Sequence, residues 1–144
     1  MSSETIAIAA DHGGLALKRS LTQNLRENGS DVLDLGTGDE ASVDYPDYAA
    51  KVVEAISDGR AKRGILLCGS GIGMSIAANR HSGIRAALVH DVETAKLCRQ
   101  HNDANVLVMG GRLIDAETAI ACLDAFLGTP FEGGRHQRRI NKLN

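Results

Sequence analysis

The 144-residue chain is long enough for one compact domain, and its hydrophobic fraction of 43% excludes a disordered chain. A formal net charge of -2 argues against general affinity for nucleic acid, and three cysteines without metal-type spacing argue against a disulfide framework or a metal site. The sequence shows neither a signal peptide nor an apolar membrane-spanning segment. We therefore expect a single cytoplasmic domain over residues 1–144.

Short apolar runs predict five strands, at Ile6–Ala10, Val32–Leu35, Ile65–Leu67, Arg85–Val89 and Val106–Met109. Helical periodicity predicts the segments between and after them, at Leu15–Glu27, Tyr48–Ser57, Met74–Asn79, Val92–Gln100 and Ala116–Leu127. Residues 39–46, which include Tyr45, are predicted as a loop, and residues 133–144 as a basic tail. The alternation of strands and helices predicts an α/β fold, a Rossmann-like doubly wound sheet of five parallel strands with helices on both faces and a C-terminal basic helix or tail.

The polar and glycine-rich stretches follow the predicted strands. They are Asp11-His12, Gly36-Thr37, Cys68–Gly73, His90-Asp91 and Arg112. In doubly wound folds the ligand binds in the crevice outside the carboxyl ends of the strands. The spacing therefore predicts a site at that edge of the sheet.

The stretch Gly64–Gly73 (GILLCGSGIG) places Cys68 at the end of a buried strand, before a glycine-rich loop and a helix. Backbone N–H groups of such a loop and the helix N-terminus bind anions, and the same field favours the thiolate form of Cys68. A dinucleotide fingerprint is an alternative, but its third glycine falls one position early, at Gly73, and the loop does not follow the first strand. A tight turn with a structural cysteine is a second alternative.

Other polar residues have both a functional and a structural interpretation. Asp11 either faces the crevice or caps a helix. His101 lies in a polar turn at the opposite edge of the sheet, from which it reaches a crevice only in a neighbouring subunit or along an unusual path; a plain polar turn is the alternative. Arg135 and Arg139 share a face if the tail is helical, and together with Arg138 they suit a phosphate, although a solvated tail is the plain alternative. Two further cysteines lie in predicted helices and are interpreted as packing residues, Cys98 and Cys122.

Five motifs resemble those of the type B ribose-5-phosphate isomerase family, which includes galactose-6-phosphate isomerase subunits. They follow the family order over almost the whole chain: AADHGG (Ala9–Gly14), DYPDYA (Asp44–Ala49), GILLCGSGIGMSIAANR (Gly64–Arg80), RQHNDANVL (Arg99–Leu107) and FEGGRHQRRI (Phe131–Ile140). The resemblance implies interconversion of an aldose phosphate and a ketose phosphate through a cis-enediolate, without a metal or organic cofactor. It also implies a homodimer or tetramer whose active sites are shared between subunits.

The same resemblance assigns roles to individual residues. Cys68 is the implied base, His101 opens the sugar ring with help from Asp11, and Ser70 passes a proton between oxygens. The implied substrate-binding residues are the amides of Gly69, Gly71, Ile72 and Gly73 for the enediolate, Tyr45 and Asn102 for the hydroxyls, and His12, Arg112, Arg135 and Arg139 for the phosphate. Ala77 stands where some members carry a glutamate base.

Ribose 5-phosphate is the substrate we expect. Allose 6-phosphate, galactose 6-phosphate or a tetrulose phosphate are alternatives, because family members differ in the length of their sugar. A nucleotide- or phosphate-binding module without catalysis is the alternative from another class of protein.

Overall fold

A computed structural model gives the structure of the protein and describes residues 4–143. Its five strands are β1 (Thr5–Ala10), β2 (Asp31–Asp34), β3 (Arg63–Cys68), β4 (Ala86–Leu88) and β5 (Val106–Gly110). They form one sheet in the order β2-β1-β3-β5-β4, and every pair of neighbours is parallel. The predicted five-stranded parallel sheet is confirmed, with the thiol-bearing strand β3 at its centre.

Six α-helices surround the sheet: α1 (Leu15–Glu27), α2 (Tyr45–Ser57), α3 (Ile72–Asn79), α4 (Val92–Asn102), α5 (Ala116–Gly128) and α6 (Arg135–Ile140). A short 3-10 turn at His12–Gly14 precedes α1. The tail contains the helix α6, so Arg135 and Arg139 lie one turn apart. None of the helices within residues 4–143 has the length and apolar character needed to cross a bilayer.

Two predicted boundaries are wrong in ways that matter for the site. Helix α2 begins at Tyr45 rather than Tyr48, because Pro46 occupies the first turn, where its missing N–H costs nothing. Helix α4 continues through Asn102, so His101 lies in its last turn rather than in a loop. That helix ends where Asp103 adopts a left-handed conformation, at φ 46°.

The core forms two apolar layers, one on each face of the sheet. Alternate residues of each strand supply the two layers, as in β1, where Ile6 and Ile8 face one side and Ala7 and Ala9 the other. Helices α1, α4 and α5 cover the first face, and α2 and α3 cover the second. The central strand is therefore fixed from both sides, and its last residue, Cys68, is itself buried where the strand ends.

Candidate active site

Cys68 is the last residue of β3, and its Sγ lies 3.1 Å from the N–H of Gly71. Gly71 caps the N-terminus of α3 in a left-handed conformation, at φ 82°. A Cβ there would lie 2.5 Å from Leu88 Cδ1, so only glycine allows the chain to turn this closely against β4. The thiol therefore faces a donor N–H and the positive end of a helix dipole.

The loop after Cys68 packs directly against the loops that follow β1 and β5. A Cβ on Gly110 would lie 2.5 Å from the backbone of Ser70, and one on Gly13 would lie 3.0 Å from the nitrogen of Gly69. Backbone hydrogen bonds join the same three loops, including Gly111 N–H to Cys68 O at 2.7 Å. At these contacts the wall of the crevice is therefore made of backbone.

The carboxyl group of Asp11 and the hydroxyl group of Ser70, both predicted to be catalytic, accept hydrogen bonds from nearby backbone N–H groups. Asp11 is buried, and its Oδ1 accepts a hydrogen bond from Gly13 N–H at 2.9 Å, so it caps the 3-10 turn as the structural interpretation expected. Ser70 Oγ accepts the N–H of Ile72 at 3.2 Å. A ligand that takes up either of these N–H groups must displace the side chain that now holds it.

His12 is oriented by a contact that the sequence did not indicate. Its Nδ1 accepts the backbone N–H of Val43 at 3.2 Å. In the neutral ring the proton then resides on Nε2, which makes that nitrogen a hydrogen-bond donor. The contact also ties the loop before α2 to the crevice.

Tyr45 and Arg112 complete this edge of the sheet. The Tyr45 ring packs on Gly73, where a Cβ would lie 2.7 Å from the ring carbons. The Arg112 side chain lies over Gly69, with Nη1 3.2 Å from the position of a Cβ there, and its guanidinium has no hydrogen bond or ion pair within residues 4–143. We call the set of Asp11, His12, Tyr45, Cys68–Gly73 and Arg112 the Cys68 crevice.

The remaining predicted site residues lie elsewhere. Helix α4 starts at the carboxyl edge of the sheet, and its 11 residues span about 16 Å, so His101 and Asn102 lie near the amino edge. There the ring of His101 stacks on that of His136 in α6, with 4.4 Å between centroids and 15° between planes. We call this group the tail cluster; its members are His101, Asn102, Glu132, Arg135, His136 and Arg139. The predicted site residues of one chain therefore lie in two separate groups, the Cys68 crevice and the tail cluster.

His136 is a residue whose importance the sequence did not reveal. Its side chain is only 7% exposed, and its Nε2 lies 3.6 Å from Glu132 Oε1, with no hydrogen-bond partner in the described part of the chain. Desolvation, followed by the nearby charges of Arg135 and His101, lowers the pKa of His136 below its usual value. The i, i+4 spacing of Glu132 and His136 is the signal that could have indicated the pair.

Cys98 and Cys122 are core residues, as predicted. Burial raises the pKa of Cys98 to about 11 and also raises that of Cys122. Both thiols are therefore neutral near pH 7, unlike a cysteine used as a base.

Comparisons with known proteins agree with the fold. The family model described as Ribose/Galactose Isomerase matches residues 6–143. Ribose-5-phosphate isomerase B of Escherichia coli is 46% identical over 138 residues, which cover 96% of this chain and 93% of that protein. A crystal structure of a ribose 5-phosphate isomerase from Thermotoga maritima superposes with a TM-score of 0.97 at 56% identity, covering 99% of this chain and 98% of that one. The ribose 5-phosphate isomerase B of Anaplasma phagocytophilum gives 0.93 at 49% identity, covering 100% and 99%.

The parallel sheet and the matching relatives define an α/β enzyme that interconverts aldose and ketose phosphates. Within that class, the chain belongs to the ribose/galactose isomerase family.

Proposed function

We propose that this protein interconverts ribose 5-phosphate and ribulose 5-phosphate, with Cys68 as the base. The observation that carries the proposal is the Cys68 Sγ, 3.1 Å from the Gly71 N–H at the N-terminus of α3. A proton on a carbon next to a carbonyl is abstracted by a positioned general base, and a cysteine held beside a helix N-terminus can fill this role. The substrate is inferred from the relatives, which are named ribose 5-phosphate isomerases.

The proposed chemistry transfers one proton and needs no external oxidant. In the open-chain aldose, the Cys68 thiolate takes the proton from C2, and the C1 carbonyl becomes part of a cis-enediolate. The thiol returns the proton to C1, while Ser70 carries a proton from the C2 hydroxyl to the oxygen on C1. Backbone N–H groups of Gly69 and Gly73 stabilise the charge that develops on the enediolate oxygen, joined by those of Gly71 and Ile72 when the Cys68 and Ser70 side chains release them.

We infer that a second copy of the chain completes each site. His101 and Asn102 lie about 16 Å along α4 from the carboxyl edge, too far to act on a sugar bound at Cys68 of the same chain. Helix α3 also presents Ile72 and Ile76, which are 53% and 58% exposed, beside the crevice. An apolar surface of this kind, next to an incomplete site, fits an interface with another copy. A dimer would then be the smallest active unit, with a tetramer as a pair of dimers.

In that assembly each side chain has a distinct task. His12 and Arg112 hold the phosphate from one subunit, and Arg135 and Arg139 hold it from the other. Tyr45 and Asn102 contact sugar hydroxyls. His101 opens the furanose ring by moving a proton between the ring oxygen and the anomeric hydroxyl, and Asp11 assists. The three free cysteines support a reducing, cytoplasmic location for a single domain over residues 1–144.

The test is turnover by the purified protein of ribose 5-phosphate, allose 6-phosphate, galactose 6-phosphate and erythrulose 4-phosphate. We expect the highest kcat/KM on ribose 5-phosphate. A higher kcat/KM on a four- or six-carbon sugar would support the proposed chemistry but contradict ribose 5-phosphate as the substrate. No turnover of any of the four, with phosphosugar binding still detected by calorimetry, would favour the non-catalytic module.

A further inference from the structure

The tail cluster contains a set of metal-binding side chains that the isomerase reaction does not use as a set. One ligand atom each from His101, Glu132 and His136 lies within 4.8 Å of the other two. Two imidazoles and one carboxylate, with a water as fourth ligand, are a donor set that Zn²⁺ takes in proteins. We propose that these three residues bind a zinc ion that inhibits the enzyme.

Two of the three donors are already placed for a common ion. Two ligand atoms on a tetrahedral zinc, each roughly 2.1 Å from the metal, lie roughly 3.4 Å apart. His136 Nε2 and Glu132 Oε1 are 3.6 Å apart, which is too long for a hydrogen bond but close to that spacing. The backbone holds the pair in place, because the Glu132 N–H bonds the carbonyl of Gln100 at 3.0 Å, one residue before His101.

The burial of His136 is an independent indication of a ligand. Its Nε2 is buried and has no hydrogen-bond partner among residues 4–143. Buried polar atoms are nearly always paired, so an unpaired one that faces a carboxylate marks a position where a partner is missing. A metal ion would satisfy the nitrogen and neutralise the carboxylate at once.

His101 must move to join the other two ligands. Its ring is stacked on that of His136, and lone pairs in two parallel planes do not meet at one ion. His101 is half-buried at the end of α4 and its ring can rotate out of the stack. Zinc therefore withdraws His101 from the stacked position, and this part of the inference rests on the proposed role of His101 in ring opening.

The first experiment measures binding on the full chain, without any assay of activity. Zn²⁺ binding is followed by calorimetry, and Co²⁺ binding by its visible spectrum, in wild type, Glu132→Gln and His136→Gln. The matched controls are Glu117→Gln and His81→Gln, which change the same groups at exposed positions. We expect about one ion per chain and a Co²⁺ spectrum without thiolate charge-transfer bands. The affinity should fall at least about tenfold in the two site variants and should stay unchanged in the controls.

Several outcomes overturn the zinc site. An unchanged Zn²⁺ affinity in Glu132→Gln would overturn the site. This test holds even if His136→Gln fails to fold, because Glu132 is exposed and its substitution leaves the core intact. A thiolate band, or loss of binding in Cys68→Ser, would place the ion at the crevice instead.

The second experiment measures turnover of ribose 5-phosphate against Zn²⁺ concentration. Glu132→Gln should keep the metal-free kcat and require at least about tenfold more Zn²⁺ for half inhibition. Binding at the cluster without inhibition would overturn the inhibitory role. Binding at the cluster in a protein that isomerises no phosphosugar would overturn the proposed function and leave the site in place.

Discussion

Six arginines of this protein form two groups that differ in what their guanidinium groups bind. At the amino edge of the sheet, Arg63, Arg85 and Arg99 line a pocket of about 830 Å³. Arg63 pairs with Glu4 and bonds the carbonyls of Phe126 and Leu127. Arg85 and Arg99 both bond Asp103 and, in addition, backbone carbonyls. The N–H groups of these three arginines therefore stabilise the contacts between helix ends and the sheet.

The other group is Arg112, Arg135 and Arg139. Their guanidinium groups make no hydrogen bond or ion pair in the described residues, and all three side chains are exposed. A phosphate would find unused bidentate donors on these three side chains, whereas those of Arg63, Arg85 and Arg99 are engaged. Pairing therefore separates these two groups of arginines, although both carry the same positive charge.

The largest effect we expect is on catalysis at the crevice. Cys68→Ala removes the proposed base, so kcat should fall about 10³-fold, the scale of a positioned general base. Phosphosugar binding by calorimetry should change little, because the cationic groups remain. Cys98→Ala is the control: its thiol is buried in α4, and kcat should stay within about twofold of wild type. Normal turnover by Cys68→Ala would remove Cys68 from the mechanism.

A paired cation near the crevice tests whether pairing or position decides the role of a charge. The Lys18 side chain is 4% exposed and bonds both carboxylate oxygens of Asp34, at 2.6 and 2.7 Å. Asp34→Asn should lower the free energy of unfolding by about 3 kcal/mol, because it leaves a buried ammonium without its counter-charge. Urea unfolding measures the loss, and KM should be unchanged. A raised KM with wild-type stability would mean that position, rather than pairing, decides.

The same pair predicts a dependence of stability on pH. Partial burial disfavours the carboxylate, but hydrogen bonds from Lys18 and from the Gly36 N–H outweigh it and hold the pKa of Asp34 below its usual 3.8. The stabilisation is therefore present above pH 3.8 and is lost as the pH falls through the lower folded-state value. In Asp34→Asn that part of the acid sensitivity should be absent.

The smallest of these effects separates the two groups of arginines directly. Arg112→Ala should raise KM by roughly tenfold or more with unchanged stability, because it removes a charged hydrogen bond to the phosphate. Arg99→Ala should lower the free energy of unfolding by about 2 kcal/mol and leave KM unchanged, because its donors serve Asp103 and the Ala104 carbonyl. If both variants changed KM and stability alike, the distinction between the groups would fail.

The sheet and the crevice were predictable from the sequence because the signals are local. Apolar runs such as Ile65–Leu67 end in glycine-rich stretches, and parallel strands bring those ends to one edge. The contact between His12 and Val43, in contrast, joins residues 31 positions apart and depends on how the loop before α2 folds. The stacking of His101 on His136 likewise requires the tail to return to α4, which no local pattern specifies.

The backbone wall of the crevice has a consequence for how this enzyme can diversify. A Cβ on Gly14, Gly71 or Gly110 would come within 2.6 Å of a neighbouring atom, so side chains cannot be added there without moving the strand ends. Mutation can hardly reshape the reacting centre. Adaptation to a longer or shorter sugar must then proceed through the loop before α2 and through the tail, where substitutions meet open space, so chemistry and substrate choice evolve on separate parts of the chain.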